Sequence, residues 1–135
     1  FDVVPEPVAM AATNDDGSAK PLLNWEHSEE VAAARAQAEG KPFMIDFTAD
    51  WCAACKELSK HTFSDPRVME EGGRFVAVKV DATDDEDPQI DAVKGKYKVV
   101  GLPTVVIFDS QGVEQKRFNE FVEAEPFLAA IRSVQ

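Results

Sequence analysis

Pro42-Phe43-Met44-Ile45-Asp46-Phe47-Thr48, followed at once by Ala49-Asp50-Trp51-Cys52-Ala53-Ala54-Cys55-Lys56, decides how this chain folds. In the first half, Phe43, Ile45 and Phe47 alternate with Met44, Asp46 and Thr48. Both sets are largely apolar, which predicts a central strand covered on both faces. The second half opens a helix at the cysteines that continues through Lys56–Lys60. Cys52 and Cys55 are the only cysteines among 135 residues. A pair at a strand-to-helix junction can close and open a disulfide without moving the fold, so dithiol–disulfide exchange leads. A structural disulfide and a metal site stand beside it as alternatives.

Composition narrows the choice. Two cysteines are too few for a disulfide-stapled secreted scaffold. They are also too few for a closed structural zinc site, which needs four ligands. The only histidines are His27 and His61. Adding both gives four ligands, but the His27 spacing fits no finger pattern, and no metal is expected. A chain with 44% hydrophobic residues fits one domain with an adequate core. The formal charge of −11 disfavours nucleic acid and anionic membrane surfaces as partners, and serves solubility. No run reaches the length of a membrane-spanning helix, and no signal peptide is visible. A start at Phe1 fits a mature form or an excised domain.

Working outward, residues 1–24 mix prolines, Gly17 and polar residues without an apolar period, and read as a flexible leader or linker. The domain is expected over 25–135. Ser28 before Glu29-Glu30 caps an Ala-rich helix that stops at Gly40. Thr62–Pro66 is a break, and a short helix follows from Pro66. Phe75–Val80 is a second strand. Ile90, Val93 and Tyr97 mark a helix through Lys98. Pro103–Phe108 is a third strand, with a hairpin at Asp109–Gly112 into Val113–Phe118. Phe127, Leu128 and Ile131 stripe a last helix. Strands and helices alternate, and a hairpin closes the series. The fold class is therefore α/β, a mixed sheet with helices on both faces.

Thiolate is the reactive form of cysteine. Cys52 falls at the amino end of its helix, where unpaired N–H groups favour an anion. Cys55, one turn on, is expected to be more buried and less acidic. Cys52 then attacks a partner disulfide, and Cys55 attacks Cys52 to release the reduced partner. Asp46, inside an apolar strand, is expected to be partly buried with a raised pKa. It is a candidate acceptor for the Cys55 proton, through a water, or else a structural acid paired with Lys79 of the next strand. Trp51 is either a core aromatic or part of a flat apolar surface around Cys52; beside a reactive cysteine the surface role is preferred. Asp50 either acts on Cys52 electrostatically or faces solvent. The acids of 81–87 read as a solvated loop, since their spacing matches no EF-hand. Gly101-Leu102-Pro103-Thr104 carries a proline at a strand start, where the ladder tolerates a missing donor.

With Asp46, Trp51-Cys52-Ala53-Ala54-Cys55-Lys56, Lys79 and Gly101-Leu102-Pro103-Thr104 in order, the chain resembles the thioredoxin superfamily over about 25–135. That resemblance implies a thioredoxin fold and a cis Pro103 facing the cysteines. It also implies that the Leu102 backbone pairs with a partner peptide as an added strand. Asp50-Trp51-Cys52-Ala53-Ala54-Cys55-Lys56 followed by Thr62-Phe63-Ser64-Asp65-Pro66 resembles, more narrowly, the C-terminal periplasmic domain of the DsbD family of membrane disulfide reductases. This implies a monomeric domain on the periplasmic side of the bacterial inner membrane. It would take electrons from a membrane-embedded cysteine pair. It would pass them to an N-terminal domain that serves disulfide isomerases and cytochrome c maturation, with no cofactor beyond the Cys52–Cys55 pair. One departure stands out: the family's second acid, seven positions after the first cysteine, is Ser59 here. That leaves Asp46, with Lys79 beside it, to control proton affinity.

Ala53-Ala54 bears on direction. Strong oxidants of the superfamily place a histidine there, which stabilises the thiolate. Two alanines do not, so a more reducing pair and an electron donor are expected. Two other readings remain. One is a free-standing or anchored periplasmic thioredoxin-like protein for cytochrome c maturation. The other is a non-catalytic peptide-binding module with a structural disulfide.

Overall fold

Phe43–Thr48 forms β1, and its residues are buried up to Thr48. In this computed structural model, residues 25–135 are described; the leader expected over 1–24 lies outside them. Around β1 the order is α1 (Glu29–Glu39), β1, α2 (Ala53–Glu57), a π-helical turn (Leu58–Thr62) and α3 (Pro66–Gly72). Then come β2 (Val76–Asp81), α4 (Pro88–Lys96), β3 (Thr104–Phe108), β4 (Glu114–Phe118) and α5 (Ala124–Arg132). The sheet order is β2-β1-β3-β4. β1 runs parallel to β2 and antiparallel to β3, and β3 and β4 form the hairpin.

The alternation in β1 divides the core as expected. Phe43, Ile45 and Phe47 pack with Ala32 and Ala36 of α1, and with Ile90, Val93 and Tyr97 of α4. Met44 packs on the other face with Leu58, Val68 of α3, and Phe127, Leu128 and Ile131 of α5. Helices therefore cover both faces, which is the thioredoxin fold.

Local chemistry sets the boundaries. The Ser28 hydroxyl accepts the Val31 N–H, and Gly40 closes α1 with φ 64°. Asp65 and Asp87 cap α3 and α4, each followed by a proline in the first turn. α4 ends at Lys96, two residues before the expected Lys98. Lys98 takes a left-handed φ of 57° and breaks the helix, and the Val99 N–H bonds back to the Lys94 carbonyl. β3 begins one residue late, at Thr104, because Pro103 has no N–H to give the ladder; the Leu102–Pro103 peptide bond is cis.

Arg74 ties α3 to the end of α5. Its guanidinium donates to the Ile131 and Val134 carbonyls at 2.6 Å, and to Glu71 at 2.7 Å. These carbonyls belong to a helix end that has no further turn to bond with. Arg74→Ala is expected to cost roughly 1–3 kcal/mol, read as a lower urea midpoint at unchanged slope.

Candidate active site

Cys52 is the residue on which α2 begins. It is extended, and its Sγ accepts the Cys55 N–H at 3.1 Å. That bond is the local reason a sulfur sits here: a helix's first N–H groups lack backbone partners, and a side-chain acceptor satisfies one. An anionic sulfur is a better acceptor than a thiol, so the same bond favours the thiolate when the pair is open. The two sulfurs are joined in a disulfide, with Cα atoms 5.3 Å apart. Cys52 is 6% exposed and Cys55 3%. The order is as expected, but the contrast is small, because Ala49, Ala54 and Leu102 pack around both.

Trp51 is on the surface, 61% exposed. Its indole N–H donates to the Thr83 carbonyl at 3.1 Å, while the Asp50 N–H donates to the Thr83 hydroxyl at 2.9 Å. Thr83 is thus the residue that holds the Asp50-Trp51 corner, and sequence reasoning missed it. The available signal was Asp81 two residues earlier, whose carboxylate accepts the Thr83 N–H. The Asp50 side chain faces solvent. Across the site, Leu102 is half-buried and touches the cysteine cluster, and Pro103 is buried. The Thr104 hydroxyl donates to the Gly101 carbonyl at 2.7 Å and fixes that loop.

Asp46 lies opposite Lys79 in the β1–β2 register. It is 2% exposed, and its Oδ1 has no hydrogen-bond partner. The Lys79 ammonium is 4.0 Å from Oδ2, close enough for attraction but too far for a hydrogen bond. Lys79 is also shared: it stands over the Trp25 ring at 4.7 Å and near Phe63 at 5.9 Å. Burial therefore dominates and raises the Asp46 pKa to about 7, with Lys79 lowering it only in part. The structural pairing with Lys79 is present but loose.

A groove of about 540 Å³ runs from Cys55 to Lys79, and Thr48, Lys56, Ser59 and His27 also line it. Ser59, at the position of the family's second acid, thus opens on the same space as Cys55. His61 does not join the site; it pairs with Glu57 at 3.0 Å on the exposed helix face.

Residues 29–135 match the thioredoxin-like domain family. This chain belongs to that family. Over 109 residues it is 44% identical to the thiol:disulfide interchange protein DsbD of Salmonella paratyphi A, covering 79% of this chain and 19% of that protein. Identity to the Escherichia coli K12 DsbD is 41% over the same length, with the same coverage of each chain. The chain spans about a fifth of the length of the curated relatives it matches. Among solved structures, the oxidised C-terminal domain of Neisseria meningitidis DsbD aligns with a TM-score of 0.68 at 26% identity, over 82% of this chain and 99% of that one. A thioredoxin from Thermus thermophilus aligns at 0.69 with 28% identity, over 82% and 85%. The thioredoxin-like fold, the Cys52–Cys55 disulfide and these relatives support a thiol–disulfide oxidoreductase.

Proposed function

We propose that this domain works as a reductase, passing electrons from a membrane-embedded dithiol to protein disulfides on the periplasmic side of a bacterial inner membrane. The observation that carries the reading is the Cys52 sulfur at the head of α2, held by the Cys55 N–H, in a cluster that Leu102 packs against. In the open form, the Cys52 thiolate attacks one sulfur of a partner disulfide. A Cys52–partner bond forms, the partner's own S–S bond breaks, and its second sulfur leaves as a thiolate. Cys55 then gives its proton to Asp46, by way of a water, and attacks Cys52. The Cys52–Cys55 bond forms and the partner's first sulfur leaves. The partner gains two electrons and this chain loses them. A donor dithiol runs the same steps backwards to reload the pair.

Asp46 suits the acceptor role because burial holds its pKa about where the reaction must run. Trp51, Leu102 and Pro103 form the docking surface, with the Leu102 backbone available to an extended partner segment. Lys79, Asp50 and Gly101 support the site. The isolated domain acts as a monomer, and the chemistry calls for no cofactor beyond the cysteine pair.

Direction is the part most open to measurement. Ala53 and Ala54 bring neither charge nor a side-chain hydrogen bond to the Cys52 thiolate, which leaves the dithiol less stabilised and the pair more reducing. Equilibration with glutathione buffers is expected to give a potential more negative than about −200 mV. A value near the roughly −120 mV of a strong oxidant would overturn the donor assignment.

A further inference from the structure

Trp25 comes to the site from the outer edge of β2, the end strand of the sheet. The Glu26 N–H donates to the Ala77 carbonyl at 2.8 Å, and the Lys79 N–H donates to the Glu26 carbonyl at 2.9 Å. Glu26 is therefore strapped alongside Val78. Val78 packs with Phe43 and Ile45 on one face of the sheet. Trp25, one residue earlier, falls on the opposite face, which also carries Met44, Ala77, Asp46 and Lys79. Its ring meets Phe63 edge-on, with centroids 5.2 Å apart. These two rings are the platform over which the Lys79 ammonium stands, at 4.7 and 5.9 Å.

Lys79 thus has two places to put its charge. One is the dry position against the Asp46 carboxylate, whose side chain is only 3% exposed. The other is the ring platform, where the lysine side chain stays 26% exposed and keeps part of its water. Closing on Asp46 would form a hydrogen-bonded ion pair but strip that water, so one aromatic ring is enough to decide the balance. The structure shows which side it takes: the ammonium is over the rings, 4.0 Å from Oδ2, and Oδ1 has no partner. The other titratable groups around the groove are His27, Asp50, Lys56, Lys60 and Asp81. Glu26, on the strapped segment, is paired with Arg35 of α1.

We propose that Trp25 is a positioning residue for the exchange reaction: its ring holds the Lys79 ammonium back from Asp46 and so keeps that carboxyl able to take the Cys55 proton. The proposal rests on the reductase reading above and adds the residue that tunes its proton acceptor. A lysine closed onto Asp46 would favour the carboxylate and make it a weaker base.

The test is a carbon-13 NMR titration of the oxidised chain, with the Asp46 carboxyl assigned by its absence from Asp46→Asn. Trp25→Leu is expected to lower the Asp46 midpoint by about one pH unit. Trp25→Phe, which keeps a ring, should restore most of the wild-type value. In a Lys79→Met background, Trp25→Leu should leave the midpoint where it is, because no ammonium remains to move. The reduced chain supplies a second readout. With hydroxyethyl disulfide in large excess, release by Cys55 limits the rate, and its pH profile should move with the midpoint in Trp25→Leu. Urea midpoints check that each variant folds, and Trp25→Met takes the place of Trp25→Leu if the latter does not. A midpoint unmoved by loss of the ring, or a shift that persists without Lys79, would overturn the proposal. A wild-type chain that leaves the probe unreduced would instead overturn the reductase reading, while the NMR midpoints still decide whether Trp25 holds Lys79.

Discussion

Cys52→Ser is expected to remove disulfide reduction, a fall of roughly 10⁴-fold or more, while the chain still folds. The serine oxygen is close in size to the sulfur and can still accept the Cys55 N–H, so the start of α2 keeps its cap. What is lost is the sulfur, whose thiolate is the nucleophile that exchange requires. Cys55→Ala should fail differently. Cys52 still attacks, but nothing follows to break the mixed disulfide, and the chain should accumulate covalently joined to partner proteins. Incubating this variant with a periplasmic extract and resolving the products without reductant checks the point. Bands that collapse on adding dithiothreitol support the two-step exchange. An absence of such bands would speak for a merely structural disulfide.

The second large effect concerns Asp46. Burial raises its pKa to about 7, whereas an aspartate in the unfolded chain titrates near ~3.9. The folded chain therefore holds this proton more tightly than the unfolded chain. The resulting stability is fully present below pH ~4, declines as pH rises, and is gone above about pH 7. The span is on the order of 4 kcal/mol. Asp46→Asn removes the titration. Urea unfolding of the oxidised forms should show the variant gaining on the wild type by a few kcal/mol, roughly 3–4, between pH 4 and 8. Taking the difference between the two proteins cancels whatever is common to both. A flat difference would mean that Asp46 stays ionised throughout, held by Lys79. The same variant should slow release from the mixed disulfide by about 10²-fold near neutral pH, because Cys55 loses its proton acceptor. Stability and turnover should thus move in opposite directions.

Much of this was legible in the chain itself, for identifiable reasons. The alternation over Phe43–Thr48 placed Asp46 and the two core faces correctly, because period-two patterning maps directly onto the sides of a strand. The helix cap at Ser28 followed from side-chain chemistry that acts over three residues. Features made by distant residues were not visible. Thr83 holding Trp51, Arg117 bracing the turn before Val100, and Lys79 standing over the Trp25 ring all join segments far apart in the chain. Nothing in local spacing announces them. The π-helical turn escaped for another reason: Leu58-Ser59-Lys60-His61-Thr62 has ordinary helical composition, and its extra residue is set by the packing at either end.

That turn also governs how this sequence can change over time. Loops generally absorb insertions and deletions. Here the cysteine helix is anchored downstream by Thr62, which bonds the Val122 carbonyl, and by Phe63 in the core. The Phe63 N–H reaches back five residues to the Leu58 carbonyl. Deleting one residue from 58–62 would let the segment relax to regular α-helix. Each helical residue turns the chain by about 100°, so Cys52 and Cys55 would swing by that amount relative to their anchor. The number of residues between Cys55 and Phe63 is therefore fixed by angle rather than by reach, and homologues that keep the chemistry should vary there in side chains before they vary in length.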